Sequence, residues 1–115
     1  MLIAVGMGAM GAHGLKPVLT ESALESYKTG VSYQIYHSLA IIGLFILARS
    51  LDFKLKWAIR FMFFGILLFS GSIYLLALKG ILGIEAAASI LGPITPLGGV
   101  CFMVGWGLVI IQVVY

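Results

Sequence analysis

The chain has 115 residues, of which 62% are hydrophobic and 10% charged, and its mean hydropathy is +1.16. An average soluble domain is roughly 45–50% apolar and about 25% charged, so a soluble globule is excluded, as is a disordered chain; a lone Cys101 excludes a disulfide framework. The net charge of +3 rests on seven Lys and Arg against four acids, too few cations to track a phosphate backbone, so no nucleic-acid partner is expected and a small integral membrane protein remains.

A spanning helix needs about 20 mostly apolar residues. The first apolar segment, Met1 to Leu15, reaches only about 22 Å. Either this helix stops short of the headgroups or further residues precede Met1 in the full protein. The absence of a basic n-region argues against a cleaved signal. Over residues 20–29, Ser22-x-x-Glu25 fits a capping box and Thr20 is a second N-cap, so a helix is predicted to start at the outer surface and run into the next span, with Gly30 placed to kink it. The second span, Val31 to Ala48, carries no charge and is closed by Arg49. A basic loop over 49–60 leads to the third span, Phe61 to Leu78, closed by Lys79. The connection over 79–95 is too apolar for a solvent loop, and a short interfacial helix is predicted over 85–91. The fourth span, Leu97 to Tyr115, opens on Thr95-Pro96, a hydroxyl N-cap followed by proline at the first helical position. The expectation is an all-α membrane bundle of four transmembrane helices with short loops.

Arg49, Lys54, Lys56 and Arg60 face only Asp52 in the basic loop, whereas Lys16, Lys28 and Lys79 balance Glu21, Glu25 and Glu85 elsewhere. Cytoplasmic loops carry the excess of Lys and Arg, which predicts a cytoplasmic 49–60 loop and cytoplasmic N- and C-termini. The same cations are placed to meet anionic lipid headgroups, although topology alone accounts for them.

Polar groups inside a span are costly and have a packing or functional reason. On the second span Tyr27, Gly30, Tyr33, Gln34 and His37 share one helical face that continues as Ile41 and Leu44. Ser70, Ser72 and Tyr74 lie near the external end of the third span, His13 near that of the first, and Thr95 near that of the fourth. An outer polar layer centred on His37 is therefore expected above an apolar inner half in which Trp106 and Tyr115 read as interfacial aromatics. A pore through one copy would need polar groups along its whole length. Gly8, Gly11, Gly14, Gly71, Gly98, Gly99 and Gly105 suit close helix packing, within the chain or against other subunits.

Four strings carry a family resemblance: Gly11-Ala12-His13-Gly14-Leu15-Lys16; Tyr33-Gln34-Ile35-Tyr36-His37-Ser38-Leu39-Ala40; Phe69-Ser70-Gly71-Ser72-Ile73-Tyr74-Leu75-Leu76-Ala77-Leu78; and Ile94-Thr95-Pro96-Leu97-Gly98-Gly99 with Gly105-Trp106 downstream. In order and spacing they resemble the domain-of-unknown-function family 423, which includes small bacterial inner-membrane proteins and the eukaryotic transmembrane protein 256. The resemblance implies four transmembrane helices and a membrane location, and it brings no activity. Members usually carry more residues before the first string, and the 79–93 stretch is longer here than is common.

All four acids fall in loops or at interfaces, so no paired carboxylates sit inside a span. His13 and His37 are too few for a zinc site. No enzyme, cofactor or metal is expected. His37 with Tyr33, Gln34, Ser70, Ser72, Tyr74 and His13 is either a polar pocket for a ligand or transported species, or a set of interhelical hydrogen bonds. The preferred reading is a non-catalytic protein of the bacterial inner (plasma) membrane, with the bilayer, further copies of itself or other membrane subunits as partners. The alternative is a small transport or ligand-binding protein.

Overall fold

In lipid an apolar segment has no water to hydrogen-bond its backbone, so it must satisfy its own amides as a helix. The computed structural model describes residues Met1 to Tyr115 and is helical almost throughout, with no strand. Its elements are α1 (Leu2–Ala12), α2 (Glu21–Leu51), α3 (Lys56–Gly65), a π-helical turn (Ile66–Ser70), α4 (Gly71–Ala77), α5 (Lys79–Leu82), a 3-10 turn (Glu85–Ala87) and α6 (Ala88–Val114). Three stretches are long and apolar enough to cross a membrane: Glu21–Leu51, Lys56–Ala77 and Glu85–Val114. α1, at 11 residues, is a shorter apolar helix that reaches about 16 Å, half of a hydrocarbon core.

Several boundaries differ from those read in the sequence. Residues 20–29 do run into the second span as one helix, as expected, but the cap and the kink differ. α2 starts at Glu21, capped by Thr20 rather than Ser22, with Thr20 Oγ1 accepting from the Ala23 amide at 3.2 Å. It runs unbroken through Gly30, where the missing side chain admits Ile73 and Tyr74 rather than a kink; a Cβ there would lie 3.0 Å from Ile73. At the other end α2 continues to Leu51 and α3 begins at Lys56, so the basic loop shrinks to residues 52–55. Asp52 turns the chain with φ of 54°, a left-handed conformation that Asp tolerates. Leu55, 1% exposed, plugs the corner between Leu44 and Met62.

The fourth span starts well before Leu97. α6 opens at Ala88 and keeps Pro93 and Pro96 inside it. Proline removes an amide donor, which usually ends a helix in water, but in a membrane neighbouring groups re-satisfy the backbone and the helix goes on. Thr95 is therefore no cap. Its hydroxyl sits 2.5 Å from Ser72 Oγ. The interfacial helix expected over 85–91 resolves into the 3-10 turn at Glu85–Ala87 and the first residues of α6. α5 precedes it, ended by Gly83 at φ 67°.

α1 lies on the first half of α2, with Gly11 against the Tyr27 ring and Gly8 against Val31; Leu15, Tyr27 and Val31 form the core there. The rod made by α3, the π-turn and α4 lies beside α2 and carries α6 against it. The molecule is a slab of 47 × 28 × 17 Å. Only 20 of 115 residues are buried, and large apolar side chains such as Leu39, Phe45, Phe63 and Met103 lie exposed.

Candidate functional site

The buried side of α2 presents Gly30, Gln34 and His37 at helical spacing. Each meets a partner from another helix. Ser70 Oγ donates to the Gly30 carbonyl at 2.6 Å, and Tyr74 Oη donates to Gln34 Oε1 at 2.6 Å. The π-turn ends at Ser70, so Ser70 and Ser72, close in sequence, serve opposite neighbours. Ser72 Oγ donates to the Phe69 carbonyl at 3.0 Å. Its single proton is then used, so the Thr95 hydroxyl is the donor in the Ser72–Thr95 bond. Tyr27 Oη donates to the Met7 carbonyl at 2.7 Å and ties α1 to α2.

His37, 7% exposed, is satisfied at both ring nitrogens. Nδ1 lies 2.9 Å from the Tyr33 carbonyl, and Trp106 Nε1 donates to Nε2 at 3.2 Å. A carbonyl only accepts and an indole N–H only donates. The ring is therefore the neutral tautomer with its proton on Nδ1. It stacks on Phe102 at 3.6 Å and 14° and faces Tyr33 at 5.9 Å; Tyr33 in turn packs on Phe69 at 4.6 Å. This corrects the reading of Trp106 as an inner-interface residue. Along the unbroken α2, His37 stands about 14 Å from Lys28 and about 18 Å from Arg49.

His13 is not part of this layer. It occupies the exposed turn after α1, its amide bonded to the Ala9 carbonyl at 3.2 Å. Gly98 and Gly105 lie where α6 crosses the rod. A Cβ at Gly98 would fall on the Phe69 backbone, and one at Gly105 would come 2.9 Å from Met62. Gly71 and Gly99 have nothing within 4 Å, and Gly14 meets only the Met10 carbonyl at 3.7 Å.

Beside the His37–Trp106 bond lies an open groove of about 770 Å³ between α2 and α6. Phe69, Phe102, Tyr33, Trp106, Gly99 and Gly107 are among its lining residues. A smaller cleft of about 460 Å³ near the start of α2 gathers the hydroxyls of Ser26, Thr29 and Thr95. Phe69, Phe102, Ser26 and Thr29 were not singled out by sequence reasoning; the i+3 spacing of Ser26 and Thr29 was the available signal. Arg49, Lys54, Lys56 and Arg60 line a third concavity at the α2–α3 corner. No group of three His, Cys, Asp or Glu side chains converges anywhere.

The family model described as "Protein of unknown function (DUF423)" matches residues 7–99. The chain belongs to the DUF423 family. Those residues hold three of the four strings whole and all but the downstream Gly105-Trp106 of the fourth. This DUF423 chain is 41% identical over 110 residues to a UPF0382 membrane protein of Staphylococcus saprophyticus, covering 96% of this chain and 86% of that protein. It is 43% identical over 115 residues to the UPF0382 membrane protein YwdK of Bacillus subtilis, covering 98% and 88%. No solved structure matches significantly. Bacterial relatives named as membrane proteins and three helices of spanning length make the DUF423 chain an integral membrane protein.

Proposed function

We propose that this protein is a non-catalytic module of the bacterial plasma membrane that packs, through the α2–α6 groove, against further copies or other membrane subunits. The observation that carries this reading is the groove itself: lined by aromatic rings, open at the surface, and including Gly99 and Gly107, where an added Cβ would meet nothing within 4 Å. Small residues let helices approach closely where no hydrophobic force joins them. Gly98 and Gly105, on the packed side of α6, already work in that way. Gly99 and Gly107 supply the same feature with its partner missing.

Against the ligand-binding alternative stands the state of the polar layer. Every buried side-chain nitrogen and oxygen has a hydrogen-bond partner within the chain. A ligand would have to displace Trp106 from His37 or Tyr74 from Gln34 to be recognised. Catalysis lacks a reactive set, because the four acids lie at helix ends and connections away from His37.

Extraction into lipid discs without detergent, followed by mass measurement, tests the proposal. The expected result is a particle holding several 12.3 kDa chains or a second protein. Gly107→Leu, which fills the groove, should release single chains with helical content unchanged. A wild-type particle holding one chain and lipid alone would refute the reading.

A further inference from the structure

The corner between α2 and α3 is chemically unlike the groove. Four of the seven Lys and Arg residues, Arg49, Lys54, Lys56 and Arg60, line a cup of about 670 Å³ whose walls include Phe45 and Trp57. Asp52, the only acid of this turn, is not among its lining residues. The Arg60 guanidinium lies 5.0 Å over the Trp57 ring and that of Arg49 lies 5.9 Å over Phe45. Such cation–π contacts hold the charged heads at the rim without neutralising them. α3 begins in the same cup with Leu55 as its N-cap and no side-chain acceptor for its first amides. Those free N–H groups add a positive helix end to the four cations. The cup is also held in shape, because Leu55 is locked between Leu44 and Met62.

We propose that this cup binds an anionic phospholipid, with its phosphodiester between Arg49 and Arg60 over the first turn of α3 and an acyl chain along Phe45 and Ile59. A basic loop that serves orientation alone needs only its charges near the membrane. It does not need two arginines laid on aromatic rings, an uncapped helix start or a buried leucine anchoring the turn. The apolar wall selects a lipid over a free phosphate ion, and four cations disfavour a zwitterionic headgroup.

Native mass spectrometry of the full chain with dioleoyl phosphatidylglycerol, dioleoyl phosphatidylcholine or inorganic phosphate tests this directly. Phosphatidylglycerol adducts should survive about tenfold more than phosphatidylcholine adducts, with no phosphate adduct, and Arg49→Gln or Arg60→Gln should each lower them about fivefold. Arg60→Lys keeps the charge but loses the planar fork over Trp57 and should also weaken the adduct. Lys79→Gln, beyond the far end of the α3–α4 rod, should not. Equal retention of the two lipids overturns the proposal, as does a loss with Lys79→Gln equal to that with Arg60→Gln. Displacement of phosphatidylglycerol by inorganic phosphate also overturns it, in favour of a free-anion site. If a glutamine variant loses its helical circular dichroism, the wild-type ratio of the two lipids decides alone.

Discussion

α2 and α6 both lie against the Lys56–Ala77 rod, and they are held there by different means. α6 closes on the rod through absent atoms: Gly98 admits the Phe69 backbone, Gly105 admits Met62, and Gly65 on the rod admits the Phe102 ring. α2 is held through hydrogen bonds, Ser70 to the Gly30 carbonyl and Tyr74 to Gln34. Between α2 and α6 the hydrogen-bonded link is Trp106 to His37, at the margin of the groove. With lipid as solvent, no hydrophobic force separates helix–helix from helix–lipid contact, so close packing and polar ties are the two remaining means. A glycine seam tolerates no added atom, whereas a polar seam tolerates added volume better than a lost partner.

That contrast orders the expected effects of substitution. Gly98→Ala should cost most, about 3 kcal/mol, because the new Cβ meets backbone that cannot rotate away; unfolding in mixed micelles would read it. Near wild-type stability would mean that α6 does not sit on Phe69. Tyr74→Phe should cost about 1 kcal/mol in the same assay by leaving Gln34 Oε1 without its donor, and the double change with Gln34→Leu should recover part of that loss. His37→Phe keeps a ring on Phe102 but strands the Trp106 indole, for about 0.6 kcal/mol. Indole fluorescence should shift with it, since Trp106 exchanges a ring nitrogen for lipid. Gly107→Ala should leave stability within about 0.5 kcal/mol, because the added Cβ would meet nothing within 4 Å. If it destabilised as much as Gly98→Ala, the distinction between packed and open glycines would fail.

The helical class, the membrane location and the buried stripe of α2 were legible because they rest on composition and on one periodicity. Tyr27, Gly30, Gln34, His37 and Leu44 share a face in the sequence and are buried in the fold, whereas Tyr33, read on the same face, is 39% exposed and Ile41 is half-buried. The partners of that stripe were only half legible. Ser70 and Tyr74 stood out as polar residues in an apolar span, whereas the π-turn that aims Ser70 at α2 and Ser72 at α6 has no local signature. Trp106 was read by its type, as an interfacial aromatic, and its role follows instead from a contact between residues 69 positions apart. Thr95-Pro96 misled for a physical reason: the fixed φ and missing N–H of proline suit a helix start, yet α6 runs on through Pro93 and Pro96, as membrane helices do where neighbouring groups re-satisfy the freed backbone. The shape of the basic turn was hidden too, since its charges were plain but the anchoring of Leu55 depends on Leu44 and Met62.

The central claim, that the groove is a face for another protein, is tested most directly by a photo-crosslinking residue placed at Met103, a 75% exposed lining position. The same residue at Phe64, 55% exposed and outside the groove, serves as the control. Irradiation in intact membranes should give a protein adduct from position 103, a second copy or a distinct subunit, and only lipid adducts from position 64. Lipid adducts alone from both positions would contradict the account.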